Sequence, residues 1–126
     1  MGAFSFTKSE RLLRRADFEK LSRHGERIEN EHFIIVYSRN GFGKLRLGVT
    51  ASKRVGAAVT RNRVKRLVRE HFRLHRVLFA ESYDVNVIAK DGTSDLSSRQ
   101  IRGTLEAIVR DILRDCKHEA VSAGTH

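Results

Sequence analysis

The sequence contains no proline and no tryptophan, and only one cysteine and one methionine. It is also short of acids and of long apolar runs. The lone Cys116 excludes an intramolecular disulfide framework and suits a reducing cytoplasm. No apolar stretch approaches the roughly 18 residues that a membrane-spanning helix needs. The opening MGAFSFTKSERLL lacks a basic leader followed by an apolar core, so it does not read as a secretory signal. Phe6 stands where a myristoylation pattern requires serine or threonine. The missing proline carries no functional reading.

Positive charge is what the chain has in excess. Lys and Arg number 25 against 15 Asp and Glu, giving a net charge of +10 and a pI near 10.6. Such a balance points to nucleic acid or an anionic membrane surface. At 126 residues the chain fits one domain, 1–126, with room for a real core. Residues 1–14 read as a flexible basic N-terminal segment, and 117–126 have the composition of a tail.

The charge concentrates in KRVGAAVTRNRVKRLVREHFRLHR, Lys53 to Arg76, where nine cations face one acid, Glu70. From Val59 to about Phe79 the apolar residues recur at helical spacing. Steps of about 100° per residue place Asn62, Lys65, Arg66, Arg69, Arg73 and Arg76 within an arc of roughly 100°. Val64, Leu67, Val68, His71, Leu74, His75 and Leu78 fall opposite, as a docking face. Lys65 with Arg69, and Arg69 with Arg73, are like charges one turn apart, each pair unfavourable by roughly 0.2–0.5 kcal/mol. A polyanion bridging the stripe would remove that repulsion. A solvated charged face is the plainer alternative, but segregation of one sign onto one side favours binding.

The remaining chain reads as support. Ala16 to His24 predicts a helix stopped by Gly25, and Thr7 to Glu10 has capping-box spacing. Phe18 in that helix suits a core position better than an exposed stacking one. A short strand around Arg27-Ile28 precedes the strongest strand run, Phe33-Ile34-Ile35-Val36-Tyr37. Asn40-Gly41-Phe42-Gly43 is a turn cluster, and Leu45 to Ser52 returns as a strand. Its Leu47, Val49 and Ala51 point one way; Arg46, Gly48, Thr50 and Ser52 give a small polar face fit to line a groove. Tyr83 to Ala89 is another strand, Asp91-Gly92-Thr93-Ser94 a turn, and Ser97 or Ser98 caps a helix over Arg99 to Cys116. Ile101, Leu105, Ile108, Ile112 and Leu113 are its buried stripe. The order α-β-β-β-α-β-α predicts an α+β sandwich, with helices packed on a small sheet. If the strands flanking the basic helix pair in parallel, that helix is their crossover, right-handed by default.

No catalytic centre assembles from these residues. Nucleotide-binding glycine loops and H-E-x-x-H are absent. His71 and His75 have zinc-compatible spacing but sit in the apolar stripe without a third ligand nearby in sequence. Asp91 with Asp95, or Asp111 with Asp115, could pair around magnesium, yet turn chemistry and solvated helix faces explain them more simply. Cys116, near a negative helix end, is a poor thiolate. The residues describe a binder with no metal site and no small-molecule substrate.

The stretch Lys53 to Phe72, above all Arg61-Asn62-Arg63-Val64-Lys65-Arg66-Leu67-Val68-Arg69, closely resembles the signature of the bacterial ribonuclease P protein subunit. The wider pattern also fits: Asp17-Phe18, the Gly25 stop, Phe33 to Tyr37, and Leu47-Gly48-Val49-Thr50-Ala51-Ser52-Lys53. The resemblance runs from about Arg11 to Ile112. It implies a two-layer α+β sandwich with a small, mostly antiparallel sheet. It also implies a left-handed β-α-β crossover through the basic helix, as in the second domain of a small-subunit ribosomal protein. It further implies a cytoplasmic protein that binds a large catalytic RNA and the single-stranded 5′ leader of precursor tRNA. Endonucleolytic cleavage then leaves a mature 5′ end with a 5′-phosphate. The RNA performs that chemistry with Mg2+, and the protein holds no cofactor and no catalytic residue.

Carried over by position, Arg61, Asn62, Arg63, Lys65, Arg66, Arg69 and Arg73, with Lys53 and Arg54 just ahead, are expected to face the catalytic RNA. Phe18, Ile34, Val36 and Thr50, joined by Tyr37 and Arg46, are expected to line a leader cleft. Some relatives carry aromatics where this chain has Ser22 and Val36, which throws the leader grip onto Phe18, Tyr37 and charge. Two rivals share the charge: a ribosomal-type structural RNA-binding protein, and a duplex-DNA binder with the helix in a major groove. The second lacks a dimerisation heptad or helix-turn-helix partner.

Overall fold

Strand alternation decides which way the sheet faces. In the computed structural model, which describes residues 11, 14–40, 45–75 and 83–124 with side chains as far as Arg114, Tyr83–Ala89 alternates buried and half-buried residues along its length. The elements in order are α1 (Arg15–His24), β1 (Glu26–Glu29), β2 (Phe33–Arg39), β3 (Arg46–Thr50), α2 (Ala58–Leu74), β4 (Tyr83–Ala89) and α3 (Ser98–Gly124). Short 3-10 turns, Lys53–Val55 and Asp91–Asp95, lead into α2 and α3. Class and element order are those expected. The four-stranded sheet has the order β1-β2-β4-β3. β1 with β2 and β2 with β4 are antiparallel, while β3 and β4 are parallel, so α2 is their crossover.

Pairing places residues in rows across the sheet. On one face run Ile28–Ile35–Val87–Val49 and Tyr37–Val85–Leu47. These pack against Val64, Leu67, Val68 and Phe72 of α2 and Ile101, Leu105, Ile108, Val109 and Ile112 of α3, forming the main core. Each fully buried side chain of this size stabilises the fold by roughly 1.5–3 kcal/mol. The docking stripe of α2 shifts slightly from expectation: Phe72 is fully buried and Leu74 is 63% exposed. Leu74 lies at the edge of the apolar arc, on the last helical residue.

Two helix ends follow directly from local chemistry. Ser97 is the cap of α3: Ser97 Oγ accepts the Gln100 N–H at 3.1 Å, and Gln100 Oε1 accepts the Ser97 N–H at 2.8 Å. The helix then runs on through Gly124, where a tail was expected from Lys117. Nothing between Lys117 and Ala123 breaks a helix, and Gly124 is the first residue that favours a stop. The readings placed on residues 1–10, 41–44 and 76–82, including the Thr7 capping box and Leu78, lie outside the described residues, as does the side chain of Cys116.

α1 crosses the opposite face. Leu21 and Val36 form a second, small cluster, with Phe18, Ile34 and Ile88 packed against it. Gly25 ends α1 in ordinary extended geometry, φ −78°, so no left-handed turn explains the glycine. Proximity does: a Cβ there would stand 2.6 Å from the Leu21 carbonyl oxygen and 2.8 Å from Val36 Cγ1.

Candidate nucleic-acid interface

The first surface is the solvent side of α2. Asn62, Arg66 and Arg69 are exposed, Arg61, Lys65 and Arg73 half-buried, and Lys53 and Arg54 exposed on the preceding turn. No ion pair among the described residues involves Lys53, Arg54, Lys65, Arg66 or Arg69. Arg11 forms a parallel bridge with Leu47 of β3, bringing a further cation beside Arg69. Burial and then the Arg11 charge lower the Arg69 pKa from the ordinary arginine value. Arg61 Nε is buried without a hydrogen-bond partner among the described residues.

Arg63 does not belong with this set. Its Nη2 donates to the Leu96 carbonyl at 2.9 Å and its Nη1 to Ser98 Oγ at 3.2 Å, strapping α2 to the start of α3. Expected as an RNA contact, Arg63 is a structural brace. The reason is angular: it projects about 100° away from the stripe, toward the neighbouring helix. On the docking side, the His71 and His75 rings lie 4.5 Å apart and tilted by 32°, with His75 Nδ1 donating to the His71 carbonyl at 2.8 Å. Burial, reinforced by His75 and opposed by Glu106, lowers the His71 pKa to about 4, so the ring is neutral in the core.

The second surface is the sheet face that α1 crosses. Its rows are Ser38–Asp84–Arg46, Val36–Asn86–Gly48 and Ile34–Ile88–Thr50. α1 covers the first two at Asp17 and Leu21, and leaves the third beside Phe18 more open. An open groove of about 680 Å³ continues from Ile34 and Ile88 to Ser52, Arg54, Lys90 and Asp91. Thr50 Oγ1 donates to Asn86 Oδ1 at 3.3 Å on the floor. The surface combines an apolar ring, an apolar strip and small polar groups, with cations at one end.

Two residues expected on that surface are placed otherwise. Tyr37 points to the other face, 2% exposed in the main core, with its ring 6.3 Å from Tyr83. Side chains alternate along β2, so Tyr37 cannot share a face with Ile34 and Val36. Arg46 is on the right face but its charge is taken: Nε and Nη2 donate to Asp84 at 2.8 and 2.7 Å, and Nη1 lies 3.6 Å from Asp17. Hydrogen bonding to Asp84 raises its pKa further. Asn86 and Ile88 were missed, although the half-buried positions of β4 alternate as visibly as its buried ones.

A family model described as Ribonuclease P matches residues 6–113. The chain belongs to the ribonuclease P protein family. The ribonuclease P protein component of Desulforapulum autotrophicum is 45% identical over 114 residues, covering 90% of this chain and 97% of the relative. That of Desulfatibacillum aliphaticivorans is 41% identical over 118 residues, covering 94% and 100%. Among solved structures, the Staphylococcus aureus ribonuclease P protein superposes with a TM-score of 0.78 at 32% identity, over 83% of this chain and 96% of that one. The Thermotoga maritima protein gives 0.70 at 31%, over 79% and 94%. Within the ribonuclease P fold described above, Ser22 is exposed on α1 and Val36 is buried beneath it. Of the expected cleft residues, Phe18 is therefore the aromatic that remains.

Proposed function

We propose that the chain, as the ribonuclease P protein subunit, holds two RNAs on its two surfaces. The α2 face with Lys53, Arg54, Arg61, Asn62, Lys65, Arg66, Arg69 and Arg73 binds the catalytic RNA. The face with Phe18, Ile34, Ile88 and Thr50 takes the single-stranded 5′ leader of precursor tRNA. The observation that carries this reading is the one-signed face of α2, where Lys53, Arg54, Lys65, Arg66 and Arg69 take part in no ion pair among the described residues. Arg guanidinium groups bind phosphate through two parallel hydrogen bonds and stack on bases, which suits a folded RNA. A single strand offers splayed bases to an apolar floor, while its backbone follows basic side chains.

In this reading the RNA subunit cleaves the precursor with Mg2+, giving the mature 5′ end with a 5′-phosphate, and the protein raises affinity and orients the leader. Membership of the ribonuclease P protein family supports a cytoplasmic location, where precursor tRNA is processed. If about four leader phosphates are contacted, log affinity falls with log salt at a slope near −3. The test is reconstitution: protein added to a bacterial ribonuclease P RNA and precursor tRNA at low magnesium should raise cleavage and substrate affinity, and protein alone should cleave nothing. No gain would instead favour a ribosomal-type RNA-binding protein. Phe18→Ala should reduce discrimination between precursor and mature tRNA.

A further inference from the structure

Arg46 lies on the sheet face beneath α1, with its guanidinium committed to two carboxylates. Asp84 holds the Nε–Nη2 edge of its guanidinium, and Nη1 faces Asp17. Asn40 Nδ2 donates to Asp84 Oδ1 at 2.7 Å and fixes the carboxylate from the other side. Two carboxylates surround one cation, and the three side chains are only 15–26% exposed. A guanidinium held bidentately in such a site is an oriented connector.

α1 needs one. It has ten residues, its N-cap Arg14 makes no side-chain bond, and its buried residue is Leu21. A helix below about 12–15 residues is marginal unless its surroundings hold it. The tight fit of Gly25 fixes the C-terminal end. At the other end Phe18 packs beside Ile34 and Ile88, and the described polar tie to the sheet is Asp17 to Arg46. Phe18 follows Asp17 directly, so the place to which Asp17 is drawn decides where the ring stands beside Ile34 and Ile88.

We infer that Arg46 and Asp17 are positioning residues for the leader: Arg46, oriented by Asp84, draws the first turn of α1 onto β3 and β4 and thereby places Phe18 over the cleft floor. The inference rests on the reading of this cleft as the leader site. Asp17→Asn separates it from plain electrostatics by sign. Removing a negative charge beside a polyanion strengthens leader binding if charge alone acts, whereas a lost tie weakens it.

The experiment compares the affinity of the reconstituted holoenzyme for precursor and mature tRNA. Asp17→Asn should lower the preference for precursor about three- to tenfold, as a misplaced contact does. Arg46→Lys, which keeps the charge but loses the fork, should lower it similarly. Affinity for the RNA subunit and the salt slope should stay as in the parent protein. Phe18→Ala, measured alongside, tests the underlying reading. An unchanged or increased preference in Asp17→Asn, with a loss in Phe18→Ala, overturns the positioning role and leaves the leader site standing. Unchanged preference in both variants overturns both. Equal losses for precursor, mature tRNA and RNA subunit reveal a purely structural tie and also overturn the inference.

Discussion

α1 and α2 lie on opposite faces of the same sheet and are held there by different means. α2 buries Val64, Leu67, Val68, His71 and Phe72 in the main core. α1 buries Leu21, half-buries Phe18 beside it, and is further held by the close contact at Gly25 and the Asp17–Arg46 tie. A helix with five buried anchors can carry a row of like charges on its outer face, because packing outweighs repulsion of a few tenths of a kcal/mol per pair. α1, which packs only Leu21 and Phe18, pairs Arg15 with Glu19 and Asp17 with Arg46. Firm anchorage suits a docking surface; light anchorage leaves a wall whose placement polar contacts can set.

The contrast can be broken most directly in the two cores. Phe72→Ala should cost about 3–5 kcal/mol in denaturant unfolding, and Leu21→Ala closer to 2 kcal/mol. Equal losses would mean that both helices belong to one cooperative core. Acid reaches α2 through His71. The folded pKa of His71, about 4, lies below the ordinary 6.5, so the unfolded chain takes up the proton first as pH falls. Stability should be full above about 6.5 and decline to about 4, by on the order of 2–3 kcal/mol. In His71→Leu that decline should shrink; an unchanged pH profile would assign it to other groups.

Smaller effects sharpen the functional side of the contrast. Arg66→Ala with Arg69→Ala should weaken binding of ribonuclease P RNA by about 1–3 kcal/mol without lowering the melting temperature. A melt that collapses along with binding would make the stripe structural. The smallest change is expected on α3, where a Cβ at Gly103 would meet nothing within 4 Å. Gly103→Ala should stabilise the fold by about 0.5–1 kcal/mol, measured by thermal unfolding. A loss of stability there would mean that the helix needs the glycine's backbone freedom.

What could be read from the sequence was whatever repeats along one element. The cations of α2, the buried stripe of α3 and the Ser97 cap recur at fixed spacing and needed no knowledge of neighbours. Tyr37 failed because Phe33 to Tyr37 is apolar at every position, so nothing in the run marks which face is the core. Arg63 and Arg46 failed for a different reason. Their partners, Leu96 and Asp84, lie 33 and 38 residues away, and only the fold brings them within reach. A cation looks available until its hydrogen-bond acceptors are found. Asn86 and Ile88 belong to the cleft only because β4 lies between β2 and β3, an order the chain does not follow.

That order has a consequence during synthesis. The strand that joins the two halves of the sheet, Tyr83–Ala89, is the last of the four to be made. Until it leaves the ribosome, β3 has no strand partner within the sheet and β1 with β2 is a lone hairpin, which is marginal in water. The basic helix is made before that strand, so its apolar face lacks the completed sheet on which it packs. A chain of this design therefore carries its cationic helix before it has the strand that completes the sheet beneath it.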